Sequence, residues 1–194
     1  MIVNIELNKQ ARLSEHLASP SEAALGHLSE LNGPRLSPHF TLGELCKTSV
    51  NSLDGNIPSH EDIENLKRLC PWLEELRFTY NSLYCLKPGE DYETSKNVEP
   101  VIITSGYRSP EVNRCVGGAY SSNHLTGCAV DIRCTGVEQA IRYAAILLDM
   151  ADDRQEDFDE LLIERNRKGH YWVHFAVRPK ENRRKTIFIA SGRT

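Results

Sequence analysis

The middle of the chain reads Ser122-Asn123-His124-Leu125-Thr126-Gly127-Cys128-Ala129-Val130-Asp131. This segment sets an imidazole and a carboxylate seven residues apart, with a glycine between them. Glycine adopts backbone angles that other residues avoid, so a turn at Gly127 can bring His124 and Asp131 to face one point. Residues 128–134 alternate as in a strand, and Asp131 stands there between two apolar residues. An unpaired carboxylate buried at that position would be costly, and a metal ion would compensate it.

A second imidazole stands downstream, in Tyr171-Trp172-Val173-His174-Phe175. This segment reads as a strand, with His174 and Trp172 on the same face. Neutral imidazole and carboxylate both suit zinc, and three protein ligands leave a fourth position where a water can reach a pKa of about 7. Each residue alone has a plainer interpretation: His124 as a loop histidine, Asp131 as a strand-edge charge, His174 as a core histidine bonded to a backbone carbonyl. Their combination indicates hydrolytic chemistry.

Composition and charge limit the classes of function. The chain has 194 residues, 40% of them hydrophobic, enough to bury one core in a single domain with an appendage. Its formal net charge of -4 supplies no general positive field, so we expect no nucleic-acid partner. The first residues lack the features of a secretory signal, and no segment approaches the ~20 apolar residues of a membrane span. We therefore expect a protein that is cytoplasmic as synthesised.

The six cysteines are scattered along the chain without a paired framework. Without a secretory signal this pattern favours free thiols over structural disulfides. The six are Cys46, Cys70, Cys85, Cys115, Cys128 and Cys134. Cys128 and Cys134 are rival metal ligands because they flank Asp131, but buried free thiols account better for both.

The chain divides into an N-terminal appendage or arm over residues 1–36 and a main domain over residues 37–194. Residues 18–31 could form a loose amphipathic helix within the appendage. In the main domain, Ser59 and Asp62 form a capping box that predicts the start of a helix after Pro58. Its apolar stripe is formed by Ile63, Leu66, Leu69, Leu73 and Leu76. Pro71 lies inside that stripe and predicts a kink or two shorter helices.

The remaining elements are mostly strands. Short strands are predicted at 101–104, 128–134, 161–164, 171–177 and 186–190, and the third and fourth are expected to form a hairpin. Ser109 and Pro110 cap a short helix that runs to about Val116. A second amphipathic helix is predicted from the stripe Val137, Ile141, Ala144, Ala145 and Leu148. The order predicts an α+β domain, a mainly antiparallel sheet flanked by helices.

Three sequence blocks, in order, resemble the M15 family of zinc D-Ala-D-Ala peptidases, which cut peptidoglycan peptides. They are Ser105-Gly106-Tyr107-Arg108-Ser109, the S-x-H-x-x-G-x-A-x-D match at 122–131, and Trp172-Val173-His174. The segment 37–45 resembles the start of one bacterial and phage branch, and the similarity covers about residues 37–180. The resemblance implies a hedgehog/DD-peptidase-like fold and one Zn²⁺ per chain. It makes His124, Asp131 and His174 the metal ligands.

The resemblance also suggests catalytic and substrate-binding residues. Arg108 would reach a substrate carboxylate or the oxyanion formed in hydrolysis; alternatively it is a surface arginine that pairs with Glu111 or Asp131. Ser122 and Tyr171 are further candidates for substrate contact.

The general base is the least determined role. Many relatives carry an acidic residue three positions before the last histidine, where this chain has Tyr171. Residues 159–164 resemble the Asp-x-Leu-Ile-x-Glu segment of the same branch. Glu164 is therefore the leading candidate for the base, although it could also be a solvated charge at the strand end. Asp159 and His170 are reserves.

The predicted function is hydrolysis of peptide bonds in peptidoglycan stem or cross-bridge peptides, by a D-Ala-D-Ala carboxypeptidase or an endolysin-type endopeptidase. We expect a monomer, released to the cell wall by lysis or acting on cytoplasmic precursors. Two alternatives stay open: a non-catalytic zinc-containing wall-binding or phage structural module, and an intracellular D,D-dipeptidase. The basic runs 165–168 and 183–185 read as solvated turns, or as contacts to carboxylates or phosphates of the wall.

Overall fold

The structure is a computed structural model that describes residues 33–188. Most of the expected appendage over residues 1–36, including its helix at 18–31, lies outside this range. The described chain forms one five-stranded sheet in the order β1-β2-β4-β3-β5. The strands are β1 Ile103–Ser105, β2 Ala129–Cys134, β3 Glu160–Arg165, β4 Tyr171–Ala176 and β5 Lys185–Phe188. In the described part, no helix has both the length and the apolar composition needed to cross a membrane.

The strand pairing confirms the predicted α+β class. Pairs β1–β2, β2–β4 and β3–β4 are antiparallel, and only the edge pair β3–β5 is parallel. The β3–β4 pair is the predicted hairpin, and its register sets Leu162 opposite His174. The last strand begins at Lys185, and residues 189 and 190 of its predicted span lie outside the described range.

The longest helix begins at the predicted capping box. After the short helix α1, Leu42–Leu45, helix α2 covers His60–Tyr80 and continues into a π-helical turn, Asn81–Cys85. Of the two outcomes predicted at Pro71, the division into two helices is wrong, because α2 runs unbroken through that residue, and the kink stays a prediction. Its neighbours Trp72 and Leu73 are buried in the core. Their packing offsets the one backbone hydrogen bond that proline cannot donate.

The helix after β2 was predicted correctly, but its buried face was not. This helix, α4, covers Val137–Arg154. Val137 and Ile141 of the predicted stripe are about half exposed, and the helix instead turns its larger residues, Tyr143 and Leu147 among them, into the core. The Tyr143 ring meets Tyr80 of α2 edge to face, with centroids 4.8 Å apart. Burying these large side chains is worth more than burying the smaller alanines of the predicted stripe.

The two faces of the sheet have different roles. One face packs against α2 and α4 and supplies core residues such as Val130, Val173 and Phe175, whose ring lies 5.2 Å from that of Trp72. Because side chains alternate along a strand, the residues between them point to the opposite face. Asp131 and His174 belong to that opposite face. The core therefore holds the sheet in place while the other face is free for chemistry.

A tight turn delivers His124 to the sheet. Helix α3, Pro110–Cys115, is followed by a loop and a 3-10 turn, Asn123–Thr126, which ends at Gly127 with a left-handed φ of 66°. A side chain at Gly127 would also place its Cβ 2.4 Å from the carbonyl oxygen of Asp62 at the start of α2. The predicted role of Gly127 in the turn is confirmed, and close packing adds a second need for glycine.

We expect Gly127→Ala to lower the free energy of unfolding more than Gly89→Ala does. Gly89 also has a left-handed φ, of 84°, but no atom lies within 4 Å of the position that a Cβ would take there. Gly89→Ala should therefore cost only the left-handed backbone penalty, about 1–2 kcal/mol. Gly127→Ala should add about 1–3 kcal/mol for crowding against the helix backbone. Urea unfolding of both variants without metal measures the difference, and equal losses would contradict the packing argument.

Candidate active site

Three side chains bring their ligand atoms into one small triangle. His124 Nε2 lies 3.2 Å from Asp131 Oδ1 and 3.2 Å from His174 Nδ1, and the third side, Asp131 Oδ1 to His174 Nδ1, is 3.0 Å. Ligands of a tetrahedral metal with bonds near 2.0 Å lie about 3.3 Å apart, so the triangle has nearly the size that such an ion needs. All three residues are buried, and together they form a group that could hold a metal ion.

The orientation of His124 is set from the far side of its ring. Its Nδ1 lies 2.6 Å from the carbonyl oxygen of Gly106, so it carries the proton and donates it to that oxygen. Nε2 is then left with a lone pair directed at the triangle, the arrangement typical of a metal-binding histidine. Gly106 must itself be a glycine, because a Cβ there would lie 2.1 Å from the Leu45 carbonyl oxygen.

Strand register brings Asp131 and His174 together. They are direct partners in the β2–β4 pair, and Asp131 is also the partner of Ser105 in β1. The second carboxylate oxygen of Asp131 is paired with Arg108, whose Nε donates to Ser105 Oγ at 2.7 Å. Neither contact uses Nη1 of Arg108. The arginine is thus held at the edge of the triangle with one end of its guanidinium uncommitted to these two partners.

The backbone around Arg108 is fastened by Asn56. The Asn56 side chain accepts a hydrogen bond from the Ser109 amide at 2.7 Å and donates to the carbonyl of Tyr107 at 3.3 Å. The amide of Arg108 itself donates to the carbonyl of His124 at 3.0 Å. These contacts hold the Arg108 guanidinium in place beside the Asp131 carboxylate.

The electrostatics of the triangle favour a cation. Burial alone would raise the pKa of Asp131, but its interactions with His124 and His174 hold that pKa well below its usual range. Burial opposes protonation of His174, yet its interactions with the Asp131 and Glu160 carboxylates outweigh burial and raise the pKa to about 9. The lone pairs of the three donor atoms therefore point at one position, and either a proton or a metal ion is needed there to offset their mutual repulsion.

Two glutamates on the same face of β3 have opposite environments. Glu160 contacts His174 and accepts a hydrogen bond from Lys185 at 2.9 Å; these partners hold its pKa well below the usual range. For Glu164, burial raises the pKa, and its carboxylate accepts a hydrogen bond from Trp172 Nε1 at 2.6 Å. A carboxylate with a raised pKa is suited to exchange protons near neutral pH, whereas an ion-paired one is not.

The reserve candidates for a base lie in other environments. Asp159 is fully buried, and its carboxylate accepts hydrogen bonds from Arg183 at 2.6 and 2.8 Å and from Asn123 at 2.7 Å. These partners leave it little capacity to act on a substrate. His170 is an exposed residue of the β3–β4 loop, within 3.4 Å of Asn166.

The predicted substrate contacts divide between two places. Ser122 lines the cavity above the triangle, and its Oγ accepts the His124 amide at 3.3 Å, so it caps the turn that carries the ligand. Tyr171 packs against the core, and the Arg165 guanidinium lies 5.4 Å from its ring centre. Strand alternation explains this, since Tyr171 is an odd number of residues from His174 and points to the opposite face.

The triangle lies in a cavity of about 960 Å³. Its acidic lining consists of Asp131, Glu160 and Glu164. Its basic lining consists of Arg108, Arg165, Arg167, Lys168, Arg183 and Lys185. Most of these cations belong to the β3–β4 loop and the approach to β5, the two basic runs seen in the sequence.

Four residues at the site received no functional role from the sequence, although they lie within the quoted segments: Gly106, Asn123, Glu160 and Trp172. Gly106 acts through its backbone carbonyl, which carries no side-chain signature. Glu160 could have been found from the strand period, since it lies four residues before Glu164 and therefore on the same face of the strand. All six cysteines have free thiols in the structure.

The comparison with known families agrees with this geometry. Residues 90–175 match the model of the family described as Peptidase M15. The match contains Arg108, His124, Asp131 and His174 as well as Glu160 and Glu164. No curated protein matches the chain. The matched segment, which carries the buried His, Asp and His cluster, is thus similar to the M15 peptidase family, whose peptidases are metal-dependent.

Proposed function

We propose that the chain is a zinc-dependent peptidase that hydrolyses peptide bonds in peptidoglycan stem or cross-bridge peptides. The observation that carries this proposal is the triangle of His124, Asp131 and His174 donor atoms, 3.0–3.2 Å apart, at an open cavity. Two neutral nitrogens and one carboxylate oxygen form a donor set that suits zinc, and three protein ligands leave a fourth position for a substrate or water. Zinc held there would act as a Lewis acid and acidify a bound water.

Glu164 is proposed as the general base and acid. It lies on the cavity side of β3, its raised pKa suits proton exchange, and the bond from Trp172 Nε1 fixes its carboxylate. In this role Glu164 takes a proton from the attacking water and passes it to the leaving amine.

Arg108 is proposed to stabilise the charge that develops on the scissile carbonyl oxygen. Its Nε and Nη2 are held by Ser105 and Asp131, which leaves Nη1 for the substrate. A cation fixed before the reaction needs no reorganisation as the charge develops, and this makes such groups effective.

The basic lining of the cavity supports an anionic peptide as substrate. Stem peptides carry free carboxylates, and the cations of the β3–β4 loop can pair with them. The open cavity is compatible with a polymer as well as with a chain end. Both D-Ala-D-Ala carboxypeptidase and endolysin-type endopeptidase activity remain within the proposal.

The direct test combines zinc analysis with mass spectrometry of digested muropeptides. We expect about one zinc per chain, since residues 33–188 contain one such triangle, together with the release of D-Ala or of cut stem or cross-bridge peptides. His124→Ala should lose both tight zinc binding and cleavage, because two remaining ligands hold the metal poorly. Full zinc occupancy in His124→Ala would contradict the ligand assignment.

The same experiment separates the alternatives. A protein that binds zinc and leaves both muropeptides and free dipeptides intact would be a non-catalytic wall-binding or structural module. Turnover of free D-Ala-D-Ala without cleavage of the polymer would identify a D,D-dipeptidase.

For Arg108→Ala we expect zinc to be retained and kcat to fall by about 10²–10³, the usual loss for one oxyanion partner. Arg108→Lys should recover only part of the rate, because one ammonium cannot replace the planar guanidinium. Arg165→Ala is the matched control, since Arg165 also lines the cavity but lies over the Tyr171 ring. Equal losses of kcat in Arg108→Ala and Arg165→Ala would point to a general field effect and against a specific contact.

For Glu164→Gln we expect near-normal zinc affinity and a kcat lower by at least ~10²-fold, the lower range for lost general acid–base catalysis. The acid limb of the pH profile should disappear with it, because the parent enzyme loses its base form as pH falls through the raised pKa of Glu164. Asp159→Asn should chiefly lower stability, since Asp159 is buried and ion-paired. A pH profile unchanged in Glu164→Gln would exclude Glu164 as the base.

A further inference from the structure

One nitrogen of His174 has no hydrogen-bond partner although it is buried. Its Nδ1 belongs to the triangle, whereas Nε2, on the other side of the ring, has no partner within hydrogen-bond geometry. The nearest carboxylate oxygen in ion-pair range is Glu160 Oε2, 3.5 Å away. A buried donor without a partner is unfavourable, so a small movement of the Glu160 carboxylate toward Nε2 would stabilise the site.

The strand register explains why Glu160 meets His174. Leu162 is the direct partner of His174 in the β3–β4 pair, and Glu160 lies two residues before it on the same face. Diagonal neighbours of this kind are within reach of long side chains. Glu164 is the other diagonal neighbour, but its carboxylate is bound to Trp172 Nε1. The two glutamates are therefore equivalent in register and different in partner.

Glu160 is held in place from the opposite side. Its Oε1 accepts hydrogen bonds from Lys185 at 2.9 Å and lies 3.1 Å from Arg183 Nη2. Its Oε2, the atom next to His174, also accepts a hydrogen bond from Asn123 Nδ2 at 3.2 Å. These three partners restrict the rotamer of a glutamate that is only 15% exposed. A restrained carboxylate can orient a neighbouring imidazole, whereas a free one cannot.

We propose that Glu160 is a positioning residue that accepts a hydrogen bond from Nε2–H of His174 and so presents Nδ1 to the metal. The inference rests on the proposed zinc function. The Gly106 carbonyl accepts the Nδ1 proton of His124 and so selects one tautomer of that ring. Glu160 would do the same for His174 by accepting its Nε2 proton. Glu160 has no role as base in this scheme, because two cations neutralise it.

The Asn123 side chain extends this support to the second histidine. Asn123 precedes His124 in the turn, and its Nδ2 donates to both Asp159 and Glu160. The turn that carries one ligand is thereby tied to the carboxylate that orients the other. Removing Glu160 should therefore loosen His174 directly, while removing the Asn123 amide would act one step further away.

The test measures metal binding without using activity. Zn²⁺ affinity is determined by competition with a chelator for the full chain, Glu160→Ala, Glu160→Gln and Glu164→Gln. We expect Glu160→Ala to raise the Kd for Zn²⁺ by about 10–100-fold, the usual cost of losing such a partner. Glu160→Gln keeps an acceptor oxygen and should lose less. Glu164→Gln is the matched control: it removes the same charge from the same strand face and should change the Kd little.

A second readout separates positioning from general stability. In the zinc-loaded parent, the Nε2 proton of His174 should give a protected signal in ¹H–¹⁵N NMR, since it is buried and hydrogen-bonded. That signal should exchange away in Glu160→Ala and persist in Glu164→Gln. If Glu160→Ala is poorly folded, Glu160→Gln provides the test instead. The positioning role then predicts that Glu160→Gln shifts the Nε2–H signal of His174 and raises the Kd for Zn²⁺.

The outcomes judge the two proposals separately. Unchanged Zn²⁺ affinity and an unchanged Nε2–H signal in Glu160→Ala and Glu160→Gln would overturn the positioning role while leaving the zinc peptidase intact. An equal loss of Zn²⁺ affinity in Glu164→Gln would also overturn the positioning role, because the loss would then come from removing a negative charge and not from losing a specific contact. A parent that binds Zn²⁺ and shows these shifts but cleaves no muropeptide would support the positioning role and overturn the peptidase.

Discussion

The structure depends on one buried carboxylate, that of Asp131, in the middle of the sheet. Strand β2 pairs with β1 on one side and β4 on the other, so a single residue has Ser105 and His174 as its register partners. A charge at such a position must be compensated, and here His124, His174 and Arg108 supply the compensation. Each of these groups is needed for hydrolysis in the proposed function. The contacts that compensate the buried charge of Asp131 are therefore the same contacts that the proposed hydrolysis requires.

The sheet separates structural and chemical tasks by its two faces. Its core face packs on α2 and α4 through large apolar side chains. Its other face presents the ligand triangle and the glutamates of β3 to the cavity. Because alternate residues of one strand serve both faces, a rigid core directly fixes the positions of the groups in the cavity.

Glu160 and Glu164 occupy equivalent positions on strand β3 but have different surroundings. Glu160 and Glu164 are both glutamates, both face the cavity and both flank Leu162. Lys185 and His174 keep Glu160 ionised, while burial raises the pKa of Glu164. The first environment suits a fixed hydrogen-bond acceptor and the second suits a proton carrier. The different roles proposed for these two glutamates rest on their neighbours in space, none of which is adjacent in sequence.

Local patterns were informative where neighbours in sequence are neighbours in space. The capping box of Ser59 and Asp62, the turn at Gly127 and the β3–β4 hairpin all appear as predicted. The buried face of α4 was misjudged, because two overlapping apolar stripes pass through Ala144 and only the partners on α2 and the sheet select between them. The division into two helices, one of the two outcomes predicted at Pro71, did not occur for a similar reason: packing on either side of the proline outweighs a local preference.

The sequence by itself determined the types and spacing of the candidate metal ligands, since His124, Gly127 and Asp131 lie within one turn and one strand and His174 lies on the next hairpin. Only the tertiary structure decided how each ligand is oriented. The Gly106 carbonyl that selects the tautomer of His124 comes from 18 residues away, and the Glu160 carboxylate beside His174 comes from another strand. The pairing of Arg108 with Asp131 likewise spans 23 residues. Hydrogen bonds and desolvation act through space over a few ångströms, so their partners are set by strand register and packing and cannot be read along the chain.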